Sequence, residues 1–536
     1  MTDLLSKHSF VELGARQRVK ALLDTGSYRE LIDPFERVMS PWLSRQGVVP
    51  QADDGVVIAK GNIAGKPVVI AAIEGNFQGG SLGEVGGAKI AGALELAAED
   101  NRNGIPTRAV LLLETGGVRL QEANLGLAAI ADIHAAIVDL RQYQPVIGVV
   151  AGSVGCFGGM SIAAGLCSYL LVTREARLGL NGPQVIEQEA GLDEYDSRDR
   201  PFIWSLTGGE QRFYSGLADR YVADDVAQIQ QTVSALLQLG LPAQQRSRRA
   251  DFYLARLAEL DAEPQIDPAT VRDLYQGEHS MRGLQWFNAL SAGAQPVEGL
   301  PDSLKVADGV LGEHKVRFIA VVPDAQNRFP RARNGEVGLL EGWGLAKAVD
   351  EAIASGDQRP LIAIVDVPSQ AYGRREEALG IHQALAAAVD SYARARLAGH
   401  PVIGLLVGKA MSGAFLAHGY QANRLIALRD PGVMVHAMGK ASAARVTLRS
   451  VEELEALAAS VPPMAYDIDS YASLGLLWET LSVSQIEQPT KDDVARVSDC
   501  LVSAIKDVDG RDLSGRLGAP HRAASSHVRQ LLRAQW

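Results

Sequence analysis

The stretch that decides the fold is Pro145–Thr173, PVIGVVAGSVGCFGGMSIAAGLCSYLLVT. It reads as a strand at Val146–Val150, a tight turn carrying Gly152, Gly155, Gly158 and Gly159, a small-residue helix from about Met160, and a second strand at Tyr169–Thr173. A strand of a parallel sheet is covered on both faces, so it reads as an unbroken apolar run and not as an alternation. Glycines at a strand-to-helix turn allow sharp bending and leave helix N-terminal N–H groups uncovered, where negative charge is stabilised. The same passage returns at Pro401–Leu428, PVIGLLVGKAMSGAFLAHGYQANRLIAL, about 256 residues later. Gly152 aligns with Gly408, and, after a one-residue gap, Gly158 and Gly159 align with Gly413 and Ala414. Upstream, Gly83-Glu84-Val85-Gly86 echoes Gly335-Glu336-Val337-Gly338, and the strand ending at Glu114 echoes the one ending at Asp366. Three echoes in one order indicate a duplicated domain.

Composition agrees. A chain of 536 residues with 47% hydrophobic and 21% charged residues suits two to four domains of ordinary α/β balance. The net charge of −11 disfavours a nucleic-acid or anionic-membrane role. Cys156, Cys167 and Cys500 form no CxxC pair, and the ten histidines show no ligand spacing, so no metal is expected. Cys156 and Cys167 read as small buried hydrophobes. The N-terminus lacks a signal-peptide pattern and no apolar run reaches membrane-spanning length, so a cytoplasmic protein is expected. Neither a dinucleotide fingerprint nor a phosphate-loop motif is present.

Along the chain, residues 1–45 read as amphipathic helix, and 50–75 as strands around turns at Gly61-Asn62 and Gly65-Lys66. Lys89 reads as a solvated helix residue. AVLLLETGGVRLQE (109–122) is a strand followed by a glycine turn. There Arg119 either holds a carboxylate or braces Glu122 or Glu114. Residues 205–290 read as mostly helical, with Arg246, Arg248 and Arg249 as a docking patch or a solvated face. The segment 291–304 reads as a linker, and the basic last thirty residues as mobile or packed on a partner.

Several phrases carry a family resemblance. ARQRVKALLDTGSYREL (15–31) resembles the opening of β-type acyl-CoA carboxyltransferase subunits. Glu114–Glu122 resembles their S-G-G-A-R-[ML]-Q-E motif, with Thr115 and Val118 as departures, and Gly182–Glu187 matches G-P-x-V-I-E. The first half looks like the β subunit of biotin-independent malonate decarboxylase. The second, through VDVPSQAYGRREE, GKAMSGAFLAHG and VHAMGKASAAR, looks like the γ subunit. The resemblance implies two crotonase-like (ClpP/crotonase, carboxyltransferase-type) ββα-spiral domains related by a pseudo-two-fold, with the active site between them. It places a β-like domain at 1–290, the linker at 291–304 and a γ-like domain at 305–536.

It further implies decarboxylation of a malonyl-S-carrier to the acetyl-S-carrier through a thioester enolate. The expected catalytic donors are Gly158 and Gly159 in a first oxyanion hole and Gly413 and Ala414 in a second. Gly116, Gly117, Arg119, Ser412 and Lys409 are the expected substrate contacts. Proton-donor candidates are Ser412, Lys409, His436, His418 and Tyr372. The family's acyl carrier protein bears a phosphoribosyl-dephospho-CoA arm, so the chain itself is expected to bind no cofactor. Ala437-Met438-Gly439-Lys440 lacks the second Met of a biotin carrier, and no biotin is expected. Expected partners are that carrier protein, the acyl carrier protein transferase subunit and the malonyl thioester, but no nucleic acid or membrane; homo-oligomerisation stays open. Alternatives are a biotin-dependent acyl-CoA carboxyltransferase, a hydratase or isomerase using Glu114 and Glu187, and a non-catalytic scaffold.

Overall fold

Val146–Val150 is strand β5, buried along its whole length, and the expected turn, helix and second strand follow it. The structure, a computed structural model, describes residues 7–260 and 280–536; the part of the expected helical region at 261–279 lies outside them. The described chain forms two compact units. The first runs to Gln184 and includes Asp196–Arg246 and Arg522–Trp536; the second comprises Val185–Tyr195 and the described part of Ser247–His521.

In the first unit, β1 (Arg29–Leu31), β2 (Val56–Ile63) and β3 (Lys66–Ile73) pair antiparallel. β4 (Arg108–Leu112), β5, β6 (Tyr169–Thr173) and β7 (Arg220–Val222) then extend β3 in parallel, giving the order β1-β2-β3-β4-β5-β6-β7. Helices Glu84–Arg102, Ala123–Leu140 and Gly159–Leu166 are the crossovers between the parallel strands.

The second unit repeats the scheme. β8 (Gln295–Pro296), β9 (Leu304–Leu311) and β10 (His314–Val321) are antiparallel, and β11 (Leu361–Val367), β12 (Val402–Met411), β13 (Arg424–Leu428) and β15 (Glu479–Leu481) are parallel. β14 (Met434–His436) pairs with the far end of β12. Helices Leu339–Ala354, Ile381–Leu397 and Ser412–Ala417 occupy the matching crossovers. The mixed α/β class and the duplication are thus present in the backbone.

Several local readings change. Among the described residues the only α-helix before β1 is Ala15–Leu22, because the chain then joins the sheet at β1. Gly61 and Asn62 lie within β2; the hairpin turns at Ala64 and Gly65, both at positive φ. Lys89 is buried, not solvated: its ammonium donates to the carbonyls of Ile32, Asp53 and Val56. Burial lowers its pKa to about 8 against the pull of Asp53 and Asp54.

Residues 291–304 carry β8, an edge strand of the second sheet, and the compact units change over at Arg246/Ser247. The segment Leu120–Leu140 is long and apolar enough to cross a bilayer, yet nearly all of it is buried as core. The basic tail is ordered: Ala523–Gln535 is a helix packed on Glu84–Arg102.

Candidate active site

Each strand-end turn is shaped by a carboxylate. Glu114, just past β4, accepts the Val154 N–H at 2.9 Å and pairs with Arg18 at 2.8 Å. Asp366, in β11, accepts the Lys409 N–H at 3.1 Å. A Cβ at Gly152 would lie 1.9 Å from Glu114 Oε2, and one at Gly408 2.0 Å from Asp366 Oδ1. The echo of these glycines is therefore a steric requirement of the carboxylate facing them. Glu114 acts as a brace.

Beyond Glu114 a short ladder continues past the sheet: Thr115 bridges Cys156, Cys156 bridges Leu178, and Val118 bridges Leu82. Gly116 is exposed at the turn surface and donates to Gly79 O at 2.9 Å. Gly117, at φ +105°, packs backbone to backbone on the second turn; a Cβ there would lie 3.1 Å from Phe157 O and 3.2 Å from Gly158 Cα. Gly158, at φ +60°, gives its N–H to Leu180 O at 2.8 Å. The expected donor at Gly158 is therefore occupied by the backbone.

Gly159 is the first residue of its helix, and its N–H makes no hydrogen bond among the described residues. The Val118 N–H is likewise bare. Gly117 C=O and Arg119 N–H both pair with Leu82 at 2.8 Å. The residue between them faces its N–H the other way, as alternation along an extended chain demands. Val118 was missed because only its bridge to Leu82, a contact between distant segments, exposes that pattern.

Arg119 is not a substrate ligand. It is fully buried, bonded to Asp54 Oδ1 at 2.6 Å, Glu122 Oε2 at 2.9 Å and Ser81 O at 3.0 Å. Its guanidinium braces the loop before the turn, and burial raises the Glu122 carboxyl. Cys156 and Cys167 are buried; burial pushes the Cys156 thiol well above its ordinary value and Cys167 up to about 12, which suits hydrophobes and not nucleophiles.

The second turn differs in register and in wiring. The positive φ equivalent to Gly158 falls on Ser412 (φ +53°), so Gly413 matches Gly159, one position earlier than the aligned glycines suggested. Val337 pairs with Ser369 O and the Ala371 N–H as Leu82 pairs with Gly117 O and the Arg119 N–H, so Gln370 matches Val118. The Gly335–Gly338 phrase is out of register too: Gly338, not Gly335, caps its helix as Gly83 does.

Most important, the Gly413 N–H donates to Gln370 Oε1 at 3.1 Å. Ala414 is buried, and its carbonyl accepts the His418 N–H at 2.9 Å. The second expected hole is thus closed at Gly413 by a side chain of the same unit. Lys409 is exposed and its ammonium makes no ion pair among the described residues; Ser412 is half-buried.

Of the other proton-donor candidates, Tyr372 is half-buried. His418 is buried between Tyr392 Oη (3.1 Å) and Ile364 O (2.9 Å), and His436 stacks on Tyr466 with ring centroids 3.8 Å apart. Burial lowers both imidazoles to about 4, against hydrogen bonds that raise them. Glu187 lies 3.8 Å from Arg445. The arginine patch is dismantled: Arg246 is buried against Asp219 and Cys167 O, Arg248 lies 3.6 Å from Asp390, and Arg249 covers the Phe252 ring.

Comparison with known proteins matches residues 7–278, just over half of the chain, to the carboxyl transferase domain, and residues 332–536 to the malonate decarboxylase gamma subunit. The chain is 38% identical over 247 residues to malonyl-S-ACP:biotin-protein carboxyltransferase MADC of Malonomonas rubra, covering 44% of this chain and 77% of the relative. It is 30% identical over 275 residues to MADD of the same organism and function name, covering 49% and 86%. A chain from the crystal structure of a Pseudomonas malonate decarboxylase hetero-tetramer in complex with malonate is 75% identical, covering 51% of this chain and 99% of that one, with a TM-score of 0.49. The chain belongs to the carboxyl transferase family, and joins a carboxyl transferase domain to a malonate decarboxylase gamma-type domain in one polypeptide.

Proposed function

We propose that this chain is the catalytic component of a malonate decarboxylase, converting malonyl-S-[acyl carrier protein] to acetyl-S-[acyl carrier protein] and CO2 without biotin. The observation that carries this reading is the pair of bare N–H groups, Val118 and Gly159, on two turns packed backbone to backbone in the carboxyl transferase half. When the C–CO2 bond breaks, its electron pair delocalises onto the thioester oxygen. Two fixed donors stabilise that oxyanion, each worth about 2.7–4 kcal/mol in comparable sites. A proton then reaches the α-carbon, and the acetyl thioester leaves.

Gly116 and Gly117 shape the wall of this donor pair. The substrate rides on the phosphoribosyl-dephospho-CoA arm of a separate acyl carrier protein in the cytoplasm, loaded by a transferase subunit.

One observation favours a second reading. MADC and MADD, the relatives that match much of their own length, are named as biotin-protein carboxyltransferases. On that reading the carboxyl group passes to biotin. Purified protein is given malonyl-S-carrier with avidin and no biotin, ATP or metal. Avidin-insensitive CO2 with acetyl thioester as product is the expected result; CO2 or carboxyl transfer that needs biotin and stops with avidin overturns it in favour of the transferase. Gly159→Pro removes the N–H at a helix position where proline is tolerated. It is expected to lower kcat by about 10²–10³.

A further inference from the structure

His134 lies on Ala123–Leu140, fully buried, and its Nε2 is 2.7 Å from the carbonyl oxygen of Gly159. A carbonyl only accepts, so Nε2 carries the proton and Nδ1 is the lone-pair nitrogen. Nδ1 is buried and makes no hydrogen bond among the described residues. An apolar side chain would fill this space without leaving a buried acceptor unmet. Among the described residues the ring's one polar contact is the one to Gly159, and Gly159 bears the bare N–H. We propose that His134 is a positioning residue: through the Gly159 carbonyl it holds that residue so that its N–H stays directed at the reacting oxygen.

The duplication supplies the control. In the second unit, Gly413 matches Gly159, but its N–H is already capped by Gln370, and no side chain bonds its carbonyl among the described residues. The brace accompanies the copy whose donor is open. A helix's first residue is held by hydrogen bonds on one side only. A donor that must meet an oxyanion within a few tenths of an ångström gains from a second anchor. The catalytic part of this inference rests on the decarboxylase reading above; the hold on the turn does not.

The test compares His134→Leu, which keeps bulk and removes the donor, with His134→Gln, which returns an N–H near the Nε2 position. Malonyl-thioester turnover is measured beside amide hydrogen exchange of the peptide spanning residues 157–163. For His134→Leu, kcat is expected to fall between about ten- and a hundredfold with KM little changed. Exchange in that peptide should rise, and His134→Gln should recover most of both. Unchanged kcat and exchange in His134→Leu would overturn the proposal, as would equal losses of kcat in both variants that follow their thermal stability. A wild-type protein that releases no CO2 would defeat the decarboxylase reading alone, because exchange still decides whether His134 holds the turn.

Discussion

At Gly152 and Gly408 a single hydrogen side chain is required by a carboxylate, Glu114 or Asp366, lying where a Cβ would go. Gly408→Ala is therefore expected to cost about 1–3 kcal/mol through overpacking. The same substitution in an Asp366→Ala background should cost markedly less, since residues in contact do not act additively. Urea denaturation of the two single variants and the double variant measures this coupling. Equal costs of Gly408→Ala in both backgrounds would show that the carboxylate does not set the requirement. The same residue-scale logic explains why Arg119 was ambiguous as a bare sequence. Its guanidinium suits a ligand carboxylate as well as Asp54 and Glu122, and only the fold brings Asp54, 65 positions away, against it.

At the scale of elements, helix Ile381–Leu397 and strand β11 meet at His418, just past the short helix Ser412–Ala417. Nε2–H donates to Ile364 O, and Nδ1 accepts from Tyr392, so the neutral ring is the form that fits. Burial holds its folded-state pKa at about 4, below the ordinary value of 6.5. Between those values the unfolded chain binds more protons than the folded one, so this group's contribution is present above pH 6.5 and is lost as pH falls towards 4. The stability difference between wild type and His418→Gln should accordingly shrink over that interval, by at most about 3 kcal/mol. Chemical denaturation at pH 7, 5.5 and 4.5 reads it, and a constant difference would count against a buried neutral imidazole.

Elements were the most legible level in the sequence. β5, its helix and β6 announced themselves, because doubly covered strands must be apolar and their turn must carry glycine. The donors were not. Gly158 looked like one because it is glycine, yet its N–H is taken by Leu180, whereas Val118 and His134 have side chains that say nothing about a turn formed by three separate segments. The register of the second turn was hidden for a similar reason. Ser412 adopts a backbone angle that identity alone assigns to a glycine.

At the scale of the molecule, the end of the chain belongs to the first unit. Arg522 and Arg529 both reach Asp132, at 2.6 and 3.2 Å, and Arg529 also grips Glu95. Ser525 donates twice to Glu84, while Val528 and Leu532 are fully buried. The last helix therefore covers both an apolar stripe and two carboxylates, Glu84 and Asp132, that face the core. Deleting residues 522–536 would uncover all of these together. Arg522→Ala is the gentler probe, because Asp132 keeps Arg529. Breaking a buried pair outright costs about 3–5 kcal/mol, so the retained partner should hold the loss below that range. Arg522→Ala with Arg529→Ala should cost more than the two single losses combined, since only the double variant strands Asp132 without a cation. Thermal and urea unfolding of the three variants would show this excess. Strict additivity would mean that the tail is held by its apolar stripe, and that the arginines only decorate it.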